Sequence, residues 1–169
     1  MNISDVNLIL NTFHSRDWSN NYISYDNSYK RNVWFKIGYI DEFNFVKEII
    51  NNDLKLINSN YLVSDWITLL IYKEGDFFGK HCDDDSNKAF STTGKLNYSN
   101  KKILYTGGYV LNDTYTGGDF LLNNKKISTT IGEIFIFGRN EEHEITPVKS
   151  GMRYSLHFAV ETFIEKILI

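Results

Sequence analysis

The sequence predicts a mainly β, α+β fold, a jelly-roll-like double sheet with packed N-terminal helices, and three observations carry that expectation. The 169 residues include 12 Phe and 11 Tyr, with aromatics at 15%, a bias that suits half-buried strands better than helix bundles. From Trp66 onward short apolar runs are broken by Gly, Asn and Asp, the texture of an antiparallel barrel or sandwich. Ahead of that point lie two segments with helical periodicity. The chain reads as one domain, with helical and strand support over 1–64, a core over 65–160 and a tail over 161–169. Its length suffices to bury about two thirds of the unfolded surface without covalent staples.

In order, Ser4–Asp5 is expected to cap a short helix whose apolar stripe is Val6, Ile9, Leu10 and Phe13. Residues 15–32 are rich in Asn, Ser and Tyr without a period and read as loop or ragged extended structure. Val33–Tyr39 has strand composition. Asp41 then stands where a helix N-cap belongs, ahead of Phe43, Phe45, Val46, Ile49 and Ile50, so a helix is expected over about 42–51. Trp66–Tyr72 is a strand, and a turn over 73–79 leads to His81-Cys82-Asp83. Residues 84–100 form a polar connection, longer than compact domains ordinarily use. Further strands are expected at 103–111, 120–122, 127–130, 133–137, 143–148 and 152–160. Asn123-Asn124 makes a hairpin turn, since Asn tolerates positive φ.

Composition narrows the function. A net charge of -3 and a pI near 5.8 leave no electrostatic footprint for nucleic acid or an anionic membrane. A lone cysteine, Cys82, rules out an intrachain disulfide. The first residues lack the pattern of a signal peptide, and no stretch approaches the ~18 apolar residues of a membrane span. A soluble protein of the cytoplasm or another intracellular compartment is the expectation.

Two segments carry the chemistry. His81 and Asp83 are two apart, so on a strand both point to one face and can grip one metal ion. An H-x-D of this kind appears by chance in roughly a quarter of shuffled chains of this composition, so it needs context. That context is His143 through Ser155, which adds a second imidazole and a guanidinium. In the last long strand Arg153, Ser155 and His157 alternate with Tyr154, Leu156 and Phe158, so one face is polar and the other apolar. Two imidazoles and a carboxylate are the donor set of a facial non-haem iron site. A guanidinium on an inner face demands an anion, and a ligand carboxylate would meet it bidentately, with Ser155 adding a hydrogen bond. The plain alternatives are a solvated acidic turn at 83–85, a structural histidine at 143 flanked by Glu141, Glu142 and Glu144, and an ordinary salt-bridge arginine at 153. His14 reads as a helix-surface residue, Cys82 as core filler facing away from the metal, and Gly117-Gly118 as a tight turn.

The ordered set of H-x-D at His81 and Asp83, GGDF at Gly117–Phe120, the strand GEIFIF and HEITPVKSGMRYS resembles the Fe(II)- and 2-oxoglutarate-dependent oxygenases, in particular their prolyl 4-hydroxylase-like branch, over about residues 66–160. The resemblance implies a double-stranded β-helix core in which His81, Asp83 and His143 bind Fe(2+). It further implies that Arg153 binds the far carboxylate of 2-oxoglutarate, that Ser155 completes an R-x-S pattern, and that Tyr72 lines the cosubstrate pocket. His157 shares the face of Arg153, where contact with the cosubstrate and simple packing are both open. O2 is the second cosubstrate and L-ascorbate an accessory cofactor on the same ground. Two positions depart from the branch: Val110 stands where prolyl hydroxylases usually carry a tyrosine, with Tyr109 facing the other way, and Arg153 replaces the lysine of vertebrate-type collagen enzymes.

The activity so implied is hydroxylation of a prolyl or related residue in a peptide or protein, with 2-oxoglutarate decarboxylated to succinate. Acidic residues beside both ligand segments hint at a basic peptide. The same chemistry on a free amino acid, another small molecule or an alkylated base is the first alternative. A catalytically silent jelly-roll binding module is the second.

Overall fold

The computed structural model describes residues 1–18, 33–83 and 101–163. Most of the expected loop at 15–32 and all of that at 84–100 lie outside the described residues.

Helix α1 (Ile3–Ser15) buries Val6, Ile9 and Phe13, as its period requires. Its cap is Asn2 rather than Ser4 or Asp5: the Asn2 side chain accepts from Asp5 N at 2.9 Å, and the Asp5 carboxylate accepts from Asn2 N at 3.2 Å. Asp5 thus serves as the reciprocal partner of a capping box, three residues inside the helix. Strand β1 (Val33–Lys36) is followed by a single 3-10 turn, Asp41–Phe43, that runs into α2 (Asn44–Ile57). Asp41 is therefore not the cap of α2, and Phe43, which is, contributes no side-chain bond. The helix also continues past residue 51. Val46, Ile50 and Leu54, all buried, extend one apolar stripe for another turn. Asn51 Oδ1 accepts from Val63 N at 2.8 Å, and Lys47 pairs with Asp65, which ties α2 to the sheet it covers.

The strands follow as β2 (Tyr61–Tyr72), β3 (Phe78–His81), β4 (Lys101–Val110), β5 (Tyr115–Gly117), β6 (Phe120–Leu122), β7 (Lys125–Lys126), β8 (Ile134–Gly138), β9 (His143–Ile145), β10 (Val148–Gly151) and β11 (Arg153–Phe163). A five-stranded antiparallel sheet runs β1-β2-β11-β4-β8, a second runs β3-β9-β6-β7, and β5 pairs with β10. This is the jelly-roll arrangement that the texture of the sequence predicts. Strand β2 starts earlier than expected because Tyr61–Val63 pair with the end of β11, at Thr162–Val160. The expected strand at 143–148 is two strands in different sheets. Pro147 sits at the break, where it has no N–H for a ladder and its carbonyl accepts from Gly118 N at 3.1 Å. Residues 127–130 are not a strand. The hairpin through Asn123 and Asn124, at φ 50° and 64°, closes within β6 and β7, and only Ile131 bridges onward, to Val110.

Two cores result. Ile67, Leu69 and Ile71 of β2, Tyr109 of β4 and Leu156, Phe158 and Val160 of β11 meet the helices on the outer face of the large sheet. Leu70, Tyr72, Phe120, Phe137, Ile145 and Val148 fill the space between the sheets. Tyr109 points outward as expected, its hydroxyl donating to Asp53 at 2.8 Å. Burial, then the carboxylate of Asp53, pushes that phenol far above its ordinary range. Gly108 lies on the inner face, where an added Cβ would stand 2.5 Å from the Phe135 ring and 2.7 Å from the Leu156 carbonyl. Gly108→Ala is expected to cost about 1–3 kcal/mol, read as a lowered Tm in a thermal melt.

Candidate functional site

The site is built from the inner faces of both sheets. In the smaller sheet His81 and His143 are directly opposite one another on β3 and β9, with ring centroids 4.2 Å apart. A bulge in β3 between Phe78 and His81 re-aims the end of that strand, a device common beside functional sites. Each imidazole has its Nδ1 against the backbone carbonyl two residues earlier, His81 on Gly79 at 2.8 Å and His143 on Glu141 at 3.0 Å. A carbonyl can only accept, so Nδ1 carries the proton and each Nε2 is left with its lone pair. Both Nε2 atoms face Asp83 Oδ1, at 3.8 Å from His81 and 3.7 Å from His143. One ligand atom from each of the three residues lies within 4.8 Å of the others, close enough to share a metal ion.

Asp83 comes to this point differently from the sequence expectation. Strand β3 ends at His81, so strand alternation does not aim the carboxylate. Instead Arg139 Nη2 donates to the Asp83 backbone carbonyl at 3.1 Å, and the Thr106 hydroxyl donates to Asp83 Oδ2. Cys82 faces elsewhere, as expected, but it is half-buried rather than core filler, with its thiol 3.5 Å from the Asn140 carbonyl. Phe78, Phe120 and Phe137 wall the imidazoles, with ring centroids 4.0 Å from His81 and 6.2 and 4.5 Å from His143 respectively.

The larger sheet presents its inner face as rungs. Tyr72 pairs with Arg153; Leu70, Ser155 and Val110 form the next rung; Thr68, His157, Gly108 and Phe135 the next; Ala159, Thr106 and Phe137 the last. Successive rungs are about 7 Å apart, which sets Arg153 at one end of the interior and the Thr106 contact to Asp83 at the other. Arg153 is fully buried. Its Nη1 donates to Ser155 Oγ at 2.8 Å, while Nε and Nη2 have no partner. Its Cζ lies 5.4 Å from the Tyr72 ring centroid and 5.9 Å from that of Tyr115, so the charge is cushioned by aromatic faces but met by no carboxylate among the described residues. Gly118, at φ +60°, makes room here: a Cβ would sit 3.0 Å from Arg153 Cδ. The GGDF segment is therefore more than a turn.

His157 and Thr68 are cross-strand partners on this inner face, each buried, and His157 Nε2 and Thr68 Oγ1 have no partner. Burial holds His157 well below the ordinary histidine range, and His143, Arg153 and His81 push it the same way, so it is a neutral imidazole. Of the acidic residues beside His143, Glu141 is engaged by Gly138 N at 2.6 Å and Asn123 at 3.0 Å, and Glu142 pairs with Lys80 at 3.2 Å. Both are engaged within the fold. His14 is exposed near the end of α1, away from this interior. Thr68, Thr106, Tyr115 and Arg139 escaped the sequence reading. Thr106 shares the inner face of β4 with Gly108 and Val110, so alternation along that strand was the available signal.

A double-stranded β-helix carrying two imidazoles, a carboxylate and a buried arginine defines a class, and sequence comparison agrees. The family model described as the 2OG-Fe(II) oxygenase superfamily matches residues 67–161, more than half of the chain, and the chain belongs to that superfamily. Membership implies Fe(2+), 2-oxoglutarate and O2 as the components of its chemistry. Solved structures share the fold. A 2OG-Fe(II) oxygenase family oxidoreductase from Burkholderia pseudomallei superposes with a TM-score of 0.64 at 13% identity, covering 90% of this chain and 76% of that one. A Pseudomonas putida prolyl-4-hydroxylase gives 0.64 at 14% identity, covering 94% and 87%. The viral collagen prolyl hydroxylase of Paramecium Bursaria Chlorella virus-1, in its 2OG complex, gives 0.60 at 15%, covering 96% and 92%. No curated protein matches the chain by sequence. Among the described residues no helix is long and apolar enough to cross a membrane.

Proposed function

We propose that the chain is a 2-oxoglutarate-dependent dioxygenase in which His81, Asp83 and His143 hold Fe(2+), and that it hydroxylates a prolyl or related residue of a peptide or protein. The observation that carries the cosubstrate assignment is the buried Arg153 guanidinium with Nε and Nη2 unpartnered. A charge so placed is severely penalised unless an anion reaches it, and a carboxylate can take both nitrogens at once. Ser155, already bonded to Nη1, orients the fork, and Tyr72 forms the wall beside it. The donor set fits the metal: two imidazoles whose Nε2 atoms face one carboxylate oxygen suit a ferrous ion and would leave positions for a chelating 2-oxo acid. Iron bound there supplies the activation of O2 that is coupled to decarboxylation of 2-oxoglutarate to succinate. His157, neutral and buried between the triad and Arg153, offers a hydrogen bond to the cosubstrate along its length. Phe78, Phe120 and Phe137 give the metal side an aromatic wall.

The prolyl assignment is supported by the resemblance of the motifs to that branch and by the fold shared with two proteins named as prolyl hydroxylases. Its test is succinate formation, with Fe(2+), 2-oxoglutarate and L-ascorbate, across proline-rich peptides, lysine-rich peptides and free amino acids. The expected outcome is stimulation by proline-rich peptides and a product heavier by one oxygen. Turnover confined to the small-molecule set would replace the peptide reading with the same chemistry on a small substrate.

A further inference from the structure

We infer that Thr106 is a positioning residue that holds Asp83 as a one-oxygen donor, so that affinity for the divalent ion is set partly from the opposite sheet. The inference rests on the assignment of Asp83 as a metal ligand. A carboxylate has two equivalent oxygens and a soft terminal torsion, and the last ladder pair before Asp83 is His81 with His143. The backbone of β3 therefore does not decide which oxygen faces the imidazoles. Contacts from two other elements do. Arg139, just beyond β8, holds the backbone carbonyl of Asp83, and the Thr106 hydroxyl occupies Oδ2. The other oxygen, Oδ1, faces both Nε2 atoms.

Thr106 is well built for this. It is 2% exposed and lies on β4, an interior strand of the five-stranded sheet bonded on both sides, to Ala159 of β11 and Phe137 of β8. Its β-branched side chain is stiff at χ1, so the hydroxyl is presented in a fixed direction. Ala159 is the smallest residue on the inner face of β11, which keeps that rung clear beside the hydroxyl. A hydroxyl donating to an ionised carboxylate is a charge-assisted bond, stronger than a neutral one. Partners of this kind, one step removed from a metal, typically change its affinity by about 10–100-fold when lost.

Titrating Co(2+) into the metal-free chain, followed by its ligand-field absorption and by thermal shift, tests the inference. Thr106→Val keeps the shape and removes the hydroxyl; Thr106→Ser keeps the hydroxyl. Thr106→Val is expected to weaken Co(2+) binding by about 10–100-fold and to shift the absorption bands, while Thr106→Ser binds nearly as the parent does. Thr106→Ala supplies the same comparison should the valine variant not fold. Equal affinity and equal spectra for parent and Thr106→Val, or equal weakening in Val and Ser, would overturn the role of the hydroxyl and leave the metal site standing. A parent chain that takes up no Co(2+) would overturn the metal assignment and this inference with it.

Discussion

Asp83→Ala is expected to abolish divalent-ion uptake and to lower succinate formation by at least about a thousandfold, since metal activation contributes several kcal/mol and each 1.36 kcal/mol is a factor of ten in rate. Asp83 is a better probe than His143. His143 is 3% exposed and packed against Phe137, so its truncation would open a cavity and confound chemistry with folding. Asp83 is more exposed, at 16% for its side chain, and lies past the end of β3, so its loss should leave the metal-free melting temperature within a few degrees of the parent. Metal content of the purified chain and a coupled succinate assay read the two effects separately. A variant that kept both its metal and its turnover would falsify the ligand assignment. One that lost turnover but kept metal would move Asp83 from ligand to a later role.

The inner face of β11 was legible because alternation is a property of any strand: once Arg153, Ser155 and His157 are pinned between β2 and β4, their common direction follows. The convergence of the triad was legible in its members and not in its cause. The imidazoles meet because β3 and β9 pair at His81 and His143, a long-range register, and Asp83 joins them through Thr106 and Arg139 rather than through strand geometry. No local pattern marks Thr106 as a neighbour of Asp83, because their contact exists only after the two sheets close. The helix ends failed for a similar reason at short range. Asp41 has the chemistry of an N-cap, yet the 3-10 turn that buries Phe43 moves the start of α2 beyond it. Pro147 was the one local signal that could have split the 143–148 strand, since it cannot extend a ladder.

Arg153→Met should separate ligand-free stability from cosubstrate binding. In the ligand-free chain the guanidinium is a desolvated charge with two unpartnered nitrogens, and replacing buried ion pairs by apolar side chains ranges from neutral to stabilising by about 4 kcal/mol. Against that stand the loss of the bond to Ser155 Oγ and of two cation–π contacts, with Tyr72 and Tyr115, each worth about 1 kcal/mol. The two nearly offset, so the ligand-free Tm of the variant is expected within a few degrees of the parent's. With 2-oxoglutarate the two chains part. The parent gains about 2.7 kcal/mol at one hundred times its Kd, whereas a variant bound at least about thirtyfold more weakly gains at most about 0.9 kcal/mol at the same concentration. The KM for 2-oxoglutarate rises by at least about thirtyfold, the equivalent of the ~2 kcal/mol lower bound for truncating one partner of a buried charged pair. Melting curves with and without 2-oxoglutarate decide it. A variant that 2-oxoglutarate stabilises as much as it does the parent would take Arg153 out of cosubstrate binding, and the case for a carboxylate pocket would lose its main support.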